Sequence, residues 1–182
     1  MRIRILALFA VAALSAVGAA AAGKSKAVDG ASAAAARLPA LPEGGVSAAG
    51  RCPIPARFRP AFVRASRATG QQLAMLVAVA EVESRFQATA RSGADARGLL
   101  QVLPATAASL DLDVNRPASN VLAGALYLKQ LLDRYRSTDA ALAAYNAGPT
   151  AVDRAGGEAP SLETLTYVAN VQQRWRALSG CR

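Results

Sequence analysis

Apolar residues recur at steps of three and four positions through the second half of the chain. An α-helix has about 3.6 residues per turn, so residues at these steps lie on one face of a helix. The clearest stripe follows Ser119, which we predict to be the N-cap of a core helix. Its members are Val121, Ala125, Leu128, Leu132 and Tyr135.

A second apolar helix is predicted earlier in the chain, after Thr69, which is a good N-cap residue. Pro53, Pro55 and Pro60 precede it and predict an irregular segment, because proline lacks the amide hydrogen that regular structure uses. The apolar face of this helix comprises Leu73, Leu76, Val77 and Ala80.

Three further helical segments complete the pattern. Residues 104–110 form a short helix that begins at a proline, and a helix capped by Thr138 or Asp139 ends at Gly148. No useful length alternates with the two-residue period of a strand, so the chain is predicted to be mostly α. The last helix, which Gly180 can end, carries Leu165, Val168, Val171, Trp175 and Leu178.

The first residues have the pattern of an export signal. Arg2 and Arg4 precede an apolar run that ends at Val17 and is too short to span a bilayer comfortably, and small residues before Gly23 form a cleavage site. We therefore predict that residues 1–22 are a signal peptide and that the protein is periplasmic. A retained membrane anchor is the alternative.

The next segment, residues 23–51, is rich in alanine and glycine and lacks sustained apolar periodicity, which predicts a flexible linker. Residues 52–182 are the predicted folded domain. Loss of Arg2 and Arg4 with the signal peptide lowers the formal charge from +9 to +7. A basic exported protein is attracted to anionic envelope polymers, although a merely solvated basic surface is the alternative. No basic cluster is interleaved with aromatic residues, so a nucleic-acid partner is not expected.

Cys52 and Cys181 are the only cysteines in the chain. Export favours a disulfide between them, which would close a loop of roughly 130 residues and stabilise the fold by about 3–5 kcal/mol. Two buried free thiols are the alternative. Two cysteines without any histidine are too few nitrogen and sulfur ligands for zinc, and we expect neither a metal nor a cofactor.

The stretch AEVESRF, residues 80–86, contains two glutamates with different predicted environments. Glu83 continues the apolar face of its helix, whereas Glu81 lies about 200° around the axis and points away. Glu83 is in the last helical turn, where the helix dipole and apolar surroundings both raise the pKa of a carboxyl group. These features favour a general acid that is protonated near neutral pH. A structural glutamate bonded to a neighbouring helix is the alternative.

Four blocks of sequence carry a family resemblance. They are ESRFQATARSGADARGLLQVLPATA (83–107), NVLAGALYL (120–128), ALAAYNAGP (141–149) and ETLTYVANV (163–171). Together they resemble the lysozyme-like lytic transglycosylases of the soluble-transglycosylase type, over about residues 69–176. The resemblance implies a mostly α domain with a substrate cleft and at most a minimal β element. Leu100 stands where the family usually has methionine.

The resemblance also implies roles for individual residues. Glu83 matches the single catalytic acid and base of the family, and Ser84 matches a neighbour that helps to hold the glutamate and the substrate. From the residues alone, Ser84 could only cap the helix and Gln101 could only bond the loop backbone. Glu163 is interpreted as a helix cap or a surface ion pair. The residues that match substrate-binding positions are Ser84, Gln101, Tyr145, Asn146 and Tyr167.

The resemblance explains how one carboxyl group can be sufficient, since Asp95, Asp111 and Asp113 fall in no matching block. The substrate would be peptidoglycan, cleaved between N-acetylmuramic acid and N-acetylglucosamine. Glu83 would protonate the leaving oxygen and then accept the proton of the 6-hydroxyl of the muramic residue, which closes a 1,6-anhydro ring without water.

Resemblance to small dedicated members of the family implies local opening of the wall for an envelope-spanning apparatus. The expected partners are peptidoglycan strands and components of a secretion or conjugation apparatus, and the protein itself is expected to be a monomer. A hydrolytic muramidase and a non-catalytic peptidoglycan-binding subunit are the alternatives.

Overall fold

The structure, a computed structural model, describes residues 50–182, which form seven α-helices. The predicted signal peptide and nearly all of the predicted linker lie outside the described residues. Within the described part there is no strand, only the isolated bridge pairs Arg91–Arg97 and Arg97–Val102, and no helix is long and apolar enough to cross a membrane. The mostly α prediction is confirmed. The helices are α1 (Arg59–Thr69), α2 (Leu73–Ser84), α3 (Pro104–Ala108), α4 (Pro117–Tyr135), α5 (Thr138–Ala147), α6 (Pro149–Arg154) and α7 (Leu162–Ala177).

Helix α1 occupies part of the segment that was predicted to be irregular. Pro60 lies in its first turn, where the missing amide hydrogen would have had no helical partner. Thr69 was wrongly predicted to cap α2. It is the last residue of α1, and its hydroxyl donates to the carbonyl oxygen of Ala65 at 2.8 Å. Gln72 precedes α2 instead.

The starts of two other helices differ from the predictions. Helix α4 begins at Pro117, so Ser119 lies inside its first turn and does not cap it. The cap of α5 is Ser137, whose hydroxyl accepts from the amide of Ala140, and neither of the two residues predicted for this role. Gly148 ends α5 as predicted, but Pro149 immediately begins α6. In each case a proline or serine neighbouring the predicted position supplies the boundary.

The core surrounds α2, which is buried over most of its circumference. Eight of its twelve residues are buried, among them Leu76 and Val77, which have no exposed surface. Helices α1 and α7 pack against α2, while α4 packs against α1 and α5. Full burial of one such aliphatic side chain contributes about 1.5–3 kcal/mol. This packing holds the end of α2, and with it Glu83, in a defined position.

A disulfide joins Cys52 to Cys181, with an S–S distance of 2.02 Å. The two segments that carry it also exchange backbone hydrogen bonds. The amide of Cys52 donates to the carbonyl oxygen of Arg182 at 3.1 Å, and the amide of Arg182 donates to that of Gly50 at 3.2 Å. The disulfide and these hydrogen bonds hold the segment before α1 against the segment after α7, as the predicted pairing of the two cysteines implied.

Candidate active site

A cleft of about 410 Å³ lies where the end of α2, the loop between α2 and α3, the middle of α4, the end of α5 and the start of α7 converge. This volume falls within the usual range for a small-molecule site. The sequence-predicted residues that line it are Glu83, Gln101, Tyr145 and Asn146. The four residues come from α2, the loop and α5, so only the tertiary fold brings them together.

Glu83 is a largely buried carboxyl group in the last turn of α2. Burial raises its pKa from 4.5 to about 7, and a hydrogen bond from Tyr167 opposes that rise. Among the described residues no arginine or lysine forms an ion pair with it. A carboxyl group in this environment holds its proton near neutral pH, as predicted, and can donate it.

Glu81, two residues earlier, has a different environment. Its Oε2 atom is 2.6 Å from Nε of Arg174 on α7, and its side chain is 34% exposed. It does not line the cleft. The two carboxyl groups therefore have separate roles, since Glu81 joins two helices while Glu83 faces the cleft.

The backbone turns sharply directly after Glu83. Arg85 has a φ of 51° and Phe86 a φ of 61°, so two successive non-glycine residues are left-handed. Each such residue costs about 1–2 kcal/mol. The ring of Phe86 packs edge-on against Phe62, with the centroids 5.9 Å apart, which offsets part of this cost. Backbone strain of this kind is often found beside functional residues.

Ser84 is buried and does not line the cleft. Its hydroxyl lies 2.8 Å from the carbonyl oxygen of Leu99 and 3.2 Å from that of Ala80. The residue therefore fastens the end of α2 to the loop that carries Gln101. This contact agrees with a role in holding the catalytic segment and involves no cleft-facing atom.

Gln101 lines the cleft and is anchored to its own loop. Its Nε2 donates to the carbonyl oxygens of Gly98 at 2.9 Å and Ala90 at 3.2 Å. The backbone of Gln101 is left-handed, with a φ of 43°. Because the amide nitrogen is occupied, the carbonyl oxygen of the side chain is the atom available to a ligand.

Tyr145 and Asn146 come from the last turn of α5. The hydroxyl of Tyr145 donates to the carbonyl oxygen of Leu100 at 2.8 Å. Burial, and then the charge of Glu83, raise the pKa of Tyr145 well above its usual value, so it remains neutral. Asn146 is exposed on the rim of the cleft.

Tyr167 lies beside Glu83 and is not among the residues that line the cleft, where the sequence analysis had placed it. It is buried on α7, and its hydroxyl donates to Oε1 of Glu83 at 2.8 Å. Burial, and then the charge of Glu83, raise the pKa of Tyr167 well above its usual value. It therefore remains a hydrogen-bond donor to the carboxyl group.

Tyr127 and Glu163 line the cleft, although the sequence analysis did not place them there. Tyr127 of α4 packs against Tyr145 with ring centroids 5.5 Å apart. Glu163 is exposed in the first turn of α7 and lines the same cleft. Its interpretation as a cap or ion pair was wrong: Ser161 caps α7, and no ion pair within residues 50–182 includes Glu163. Both residues lie within the matching sequence blocks, which was the available signal.

Comparison with known proteins gives consistent results. Residues 60–168 match the transglycosylase SLT domain. The chain is 39% identical over 75 residues to the transglycosylase of Enterobacteria phage PRD1, which covers 41% of this chain and 28% of that protein. It is 34% identical over 119 residues to a putative soluble lytic murein transglycosylase of Haemophilus influenzae, which covers 52% of this chain and 20% of that protein.

A solved structure shows the same relationship. The chain is similar to an inactive Glu-to-Gln mutant of the lytic transglycosylase Slt from Pseudomonas aeruginosa, with a TM-score of 0.57 and 28% sequence identity. The match covers 68% of this chain and 25% of that one. The chain thus spans between a fifth and about a third of the length of the curated relatives it matches.

Proposed function

The chain belongs to the transglycosylase SLT domain family, and on that premise we propose that it is a peptidoglycan lytic transglycosylase. The observation that carries the proposal is the state of Glu83. It is a largely buried carboxyl group in a cleft, with a pKa of about 7 and a tyrosine hydroxyl on one oxygen. That combination supplies a proton donor where a sugar chain can bind.

In the first half of the proposed reaction, Glu83 is the general acid. Its proton passes to the glycosidic oxygen between N-acetylmuramic acid and N-acetylglucosamine as the bond from that oxygen to the anomeric carbon breaks. The 2-acetamido carbonyl of the muramic residue stabilises the cationic centre, as in other substrate-assisted glycosidases. No enzyme nucleophile is required at this stage.

In the second half, the Glu83 carboxylate is the general base. It accepts the proton of the 6-hydroxyl of the same muramic residue, and the hydroxyl oxygen forms a bond to the anomeric carbon. The products are a 1,6-anhydromuramic end and a free 4-hydroxyl, with no water consumed. The attack is intramolecular and gains from proximity, and Glu83 returns to its protonated form.

The two carboxyl oxygens of Glu83 have different roles in this reaction. The tyrosine hydroxyl occupies Oε1 of Glu83, and within the described residues no hydrogen bond is made to Oε2. The second oxygen is therefore the one that exchanges protons with the substrate. Tyr145 and Gln101 contribute the adjoining wall of the cleft, where their positions support contact with the sugar.

The test is digestion of purified sacculi by the wild type and by Glu83→Gln, with the products separated and weighed. The glutamine is close in shape but donates no acidic proton, so we expect a loss of activity of at least about a thousandfold, typical of an essential acid. The inactive Glu-to-Gln mutant of the Pseudomonas aeruginosa protein supports this expectation. Undiminished digestion by Glu83→Gln would refute the assignment.

A hydrolytic muramidase is the second candidate, and one observation favours it. Glu163 places a further carboxyl group in the cleft, and a hydrolase needs a base that activates water. The masses of the products separate the two reactions, because an anhydro end lacks one water relative to a reducing end. If Glu163 is such a base, Glu163→Gln abolishes reducing ends; if the proposal is right, the wild type forms anhydro ends throughout.

The proposed setting is the periplasm, where the enzyme opens peptidoglycan locally for a secretion or conjugation apparatus. The predicted signal peptide, the disulfide, the formal charge of +7 that remains after loss of Arg2 and Arg4, and the transglycosylase of phage PRD1 support this setting. Cell fractionation of the full chain tests the location. Cross-linking in cells that do and do not express such an apparatus tests the association. If the enzyme binds the apparatus, cross-linked adducts of the enzyme should appear only in the cells that express it.

A further inference from the structure

The loop between α2 and α3 contains a short turn, residues 97–101, which we call the cleft turn. Side chains of two helices bind successive carbonyl oxygens in it. Ser84 of α2 donates to Leu99 at 2.8 Å, and Tyr145 of α5 donates to Leu100 at 2.8 Å. The turn is thus held from the side of α2 and from the side of α5.

Asn120 of α4 binds the cleft turn from the third side. Its side-chain Oδ1 accepts from the amide of Leu100 at 2.9 Å, and its Nδ2 donates to the carbonyl oxygens of Arg97 at 2.7 Å and Val114 at 3.1 Å. The residue is only 1% exposed. A buried amide group that lost its hydrogen-bond partners would be left unsatisfied, which is unfavourable, so the contacts are strongly favoured.

The absence of a side chain at Gly98 allows this contact with Asn120. Its φ is 75°, and a Cβ atom at this position would lie 2.6 Å from Nδ2 of Asn120. Glycine therefore permits both the left-handed backbone and the close approach of the amide. The asparagine and the glycine together determine how near the cleft turn lies to α4.

The cleft turn also positions two residues that line the cleft. Gln101 ends it, and the amide nitrogen of that side chain is anchored on the carbonyl oxygen of Gly98. The hydroxyl of Tyr145 is anchored on Leu100. Asn120 does not line the cleft and has no bond to Glu83. Its effect on a bound sugar must therefore pass through the turn.

We infer that Asn120 is a positioning residue, which acts through the cleft turn to place Gln101 and Tyr145 for substrate binding. The inference rests on the proposed function. It predicts that loss of Asn120 weakens binding more than it slows the chemical step, because Glu83 and its bond from Tyr167 belong to α2 and α7 and remain in place.

The experiment measures kcat and KM on soluble glycan strands for wild type, Asn120→Ala, Gln101→Ala and the double variant. For Asn120→Ala we expect KM to rise about tenfold or more, with kcat within about threefold, since about 1.4 kcal/mol of lost binding is a factor of ten. In the Gln101→Ala background the effect of Asn120→Ala on KM should shrink to less than half on a logarithmic scale, because residues in one network are not additive.

Asn120→Ser is the second variant, since its smaller hydroxyl keeps part of the bonding if Asn120→Ala does not fold. Thr69→Val is the matched control, because it removes a buried side-chain hydrogen bond to Ala65 within α1 and touches no hydrogen bond of the cleft turn. If Asn120 only stabilises the fold, its loss lowers the fraction of protein that is folded and active. In that case both Asn120→Ser and Thr69→Val lower the apparent kcat and leave KM unchanged. That pattern, or full additivity with Gln101→Ala, would overturn the inference.

Two further measurements keep the inference separate from the function. Hydrogen exchange should show faster exchange of the Leu100 amide in the Asn120 variants than in Thr69→Val, because Asn120 is its acceptor. Exchange that is equal in both overturns the structural premise. Wild type that cleaves no glycan refutes the proposed function itself, whereas active wild type with unchanged KM in the variants refutes only the role of Asn120.

Discussion

The hydroxyl of Tyr167 donates a hydrogen bond to Oε1 of Glu83 at 2.8 Å, across the interface between α7 and α2. The bond stabilises the charged carboxylate and opposes the larger effect of burial on the pKa of Glu83. The same contact leaves the other carboxyl oxygen free for the substrate. Its removal therefore has consequences for both the pH dependence and the rate.

Tyr167→Phe should shift the alkaline limb of the kcat/KM profile to higher pH. The lost bond lowered the pKa of Glu83, so its absence raises that pKa and keeps the acid protonated further into the alkaline range. We expect the maximal rate to fall about tenfold, since a hydrogen bond to a charged group contributes about 1.5–3 kcal/mol. Tyr135→Phe, which removes another tyrosine hydroxyl bond, is the control, and an unmoved limb in Tyr167→Phe contradicts the prediction.

Glu83→Gln should make the protein more stable above neutral pH while it abolishes activity. The pKa of Glu83 is about 7 in the folded protein and 4.5 ordinarily, so the native state binds this proton more tightly than the unfolded chain. Its contribution to stability is present below pH 4.5 and is lost as the pH rises towards 7. The loss is on the order of 3–4 kcal/mol, because the two pKa values differ by about 2.5 and one pKa unit corresponds to about 1.4 kcal/mol.

Urea denaturation at pH 4.5 and pH 8 measures this effect. Glu83→Gln should be more stable than wild type at pH 8, and the difference should be much smaller at pH 4.5. Glu81→Gln is the matched control, because it removes the ion pair with Arg174 and should lower stability by at most about 1 kcal/mol. A Glu83→Gln protein that is less stable than wild type at pH 8 would contradict the burial argument.

Gly98→Ala should impair both folding and substrate binding. The added Cβ atom would lie 2.6 Å from Asn120 on a backbone with a φ of 75°, so the cleft turn must shift. We expect a loss of stability of about 1–3 kcal/mol, typical of overpacking, with a raised KM. Gly70→Ala also has a positive φ but meets no atom within 4 Å, so it controls for backbone strain alone. Equal effects of the two substitutions would exclude the steric contact as the cause.

Replacement of both cysteines, Cys52→Ala with Cys181→Ala, should lower the free energy of unfolding by about 3–5 kcal/mol. The disulfide spans 129 residues, so its loss greatly increases the entropy of the unfolded chain. Activity of the folded fraction should be retained, because neither residue lines the cleft. The denaturation midpoint of the wild type, measured with and without a reducing agent, checks the same contribution of the disulfide to stability. A midpoint insensitive to reduction would count against that contribution.

The sequence by itself determined the helical class and the residue at the centre of the site. Apolar spacing identified the core helices, because burial of one face has a strict period. The position of Glu83 on that face predicted a raised pKa, which the structure bears out. The exact helix starts were less predictable, since several serine, threonine and proline residues near one boundary compete for it.

Only the tertiary structure decided which side chains of the site line the cleft and which bind other side chains or the backbone. Tyr167 has the same apolar spacing as the core residues of α7, and nothing local shows that its hydroxyl meets Glu83. Glu163 resembles an ordinary first-turn carboxylate until the convergence of helices places it in the cleft. Asn120 binds residues 6 to 23 positions away in the chain. Local sequence specifies which face of a helix is buried, whereas the partner of a buried polar atom depends on which helices meet.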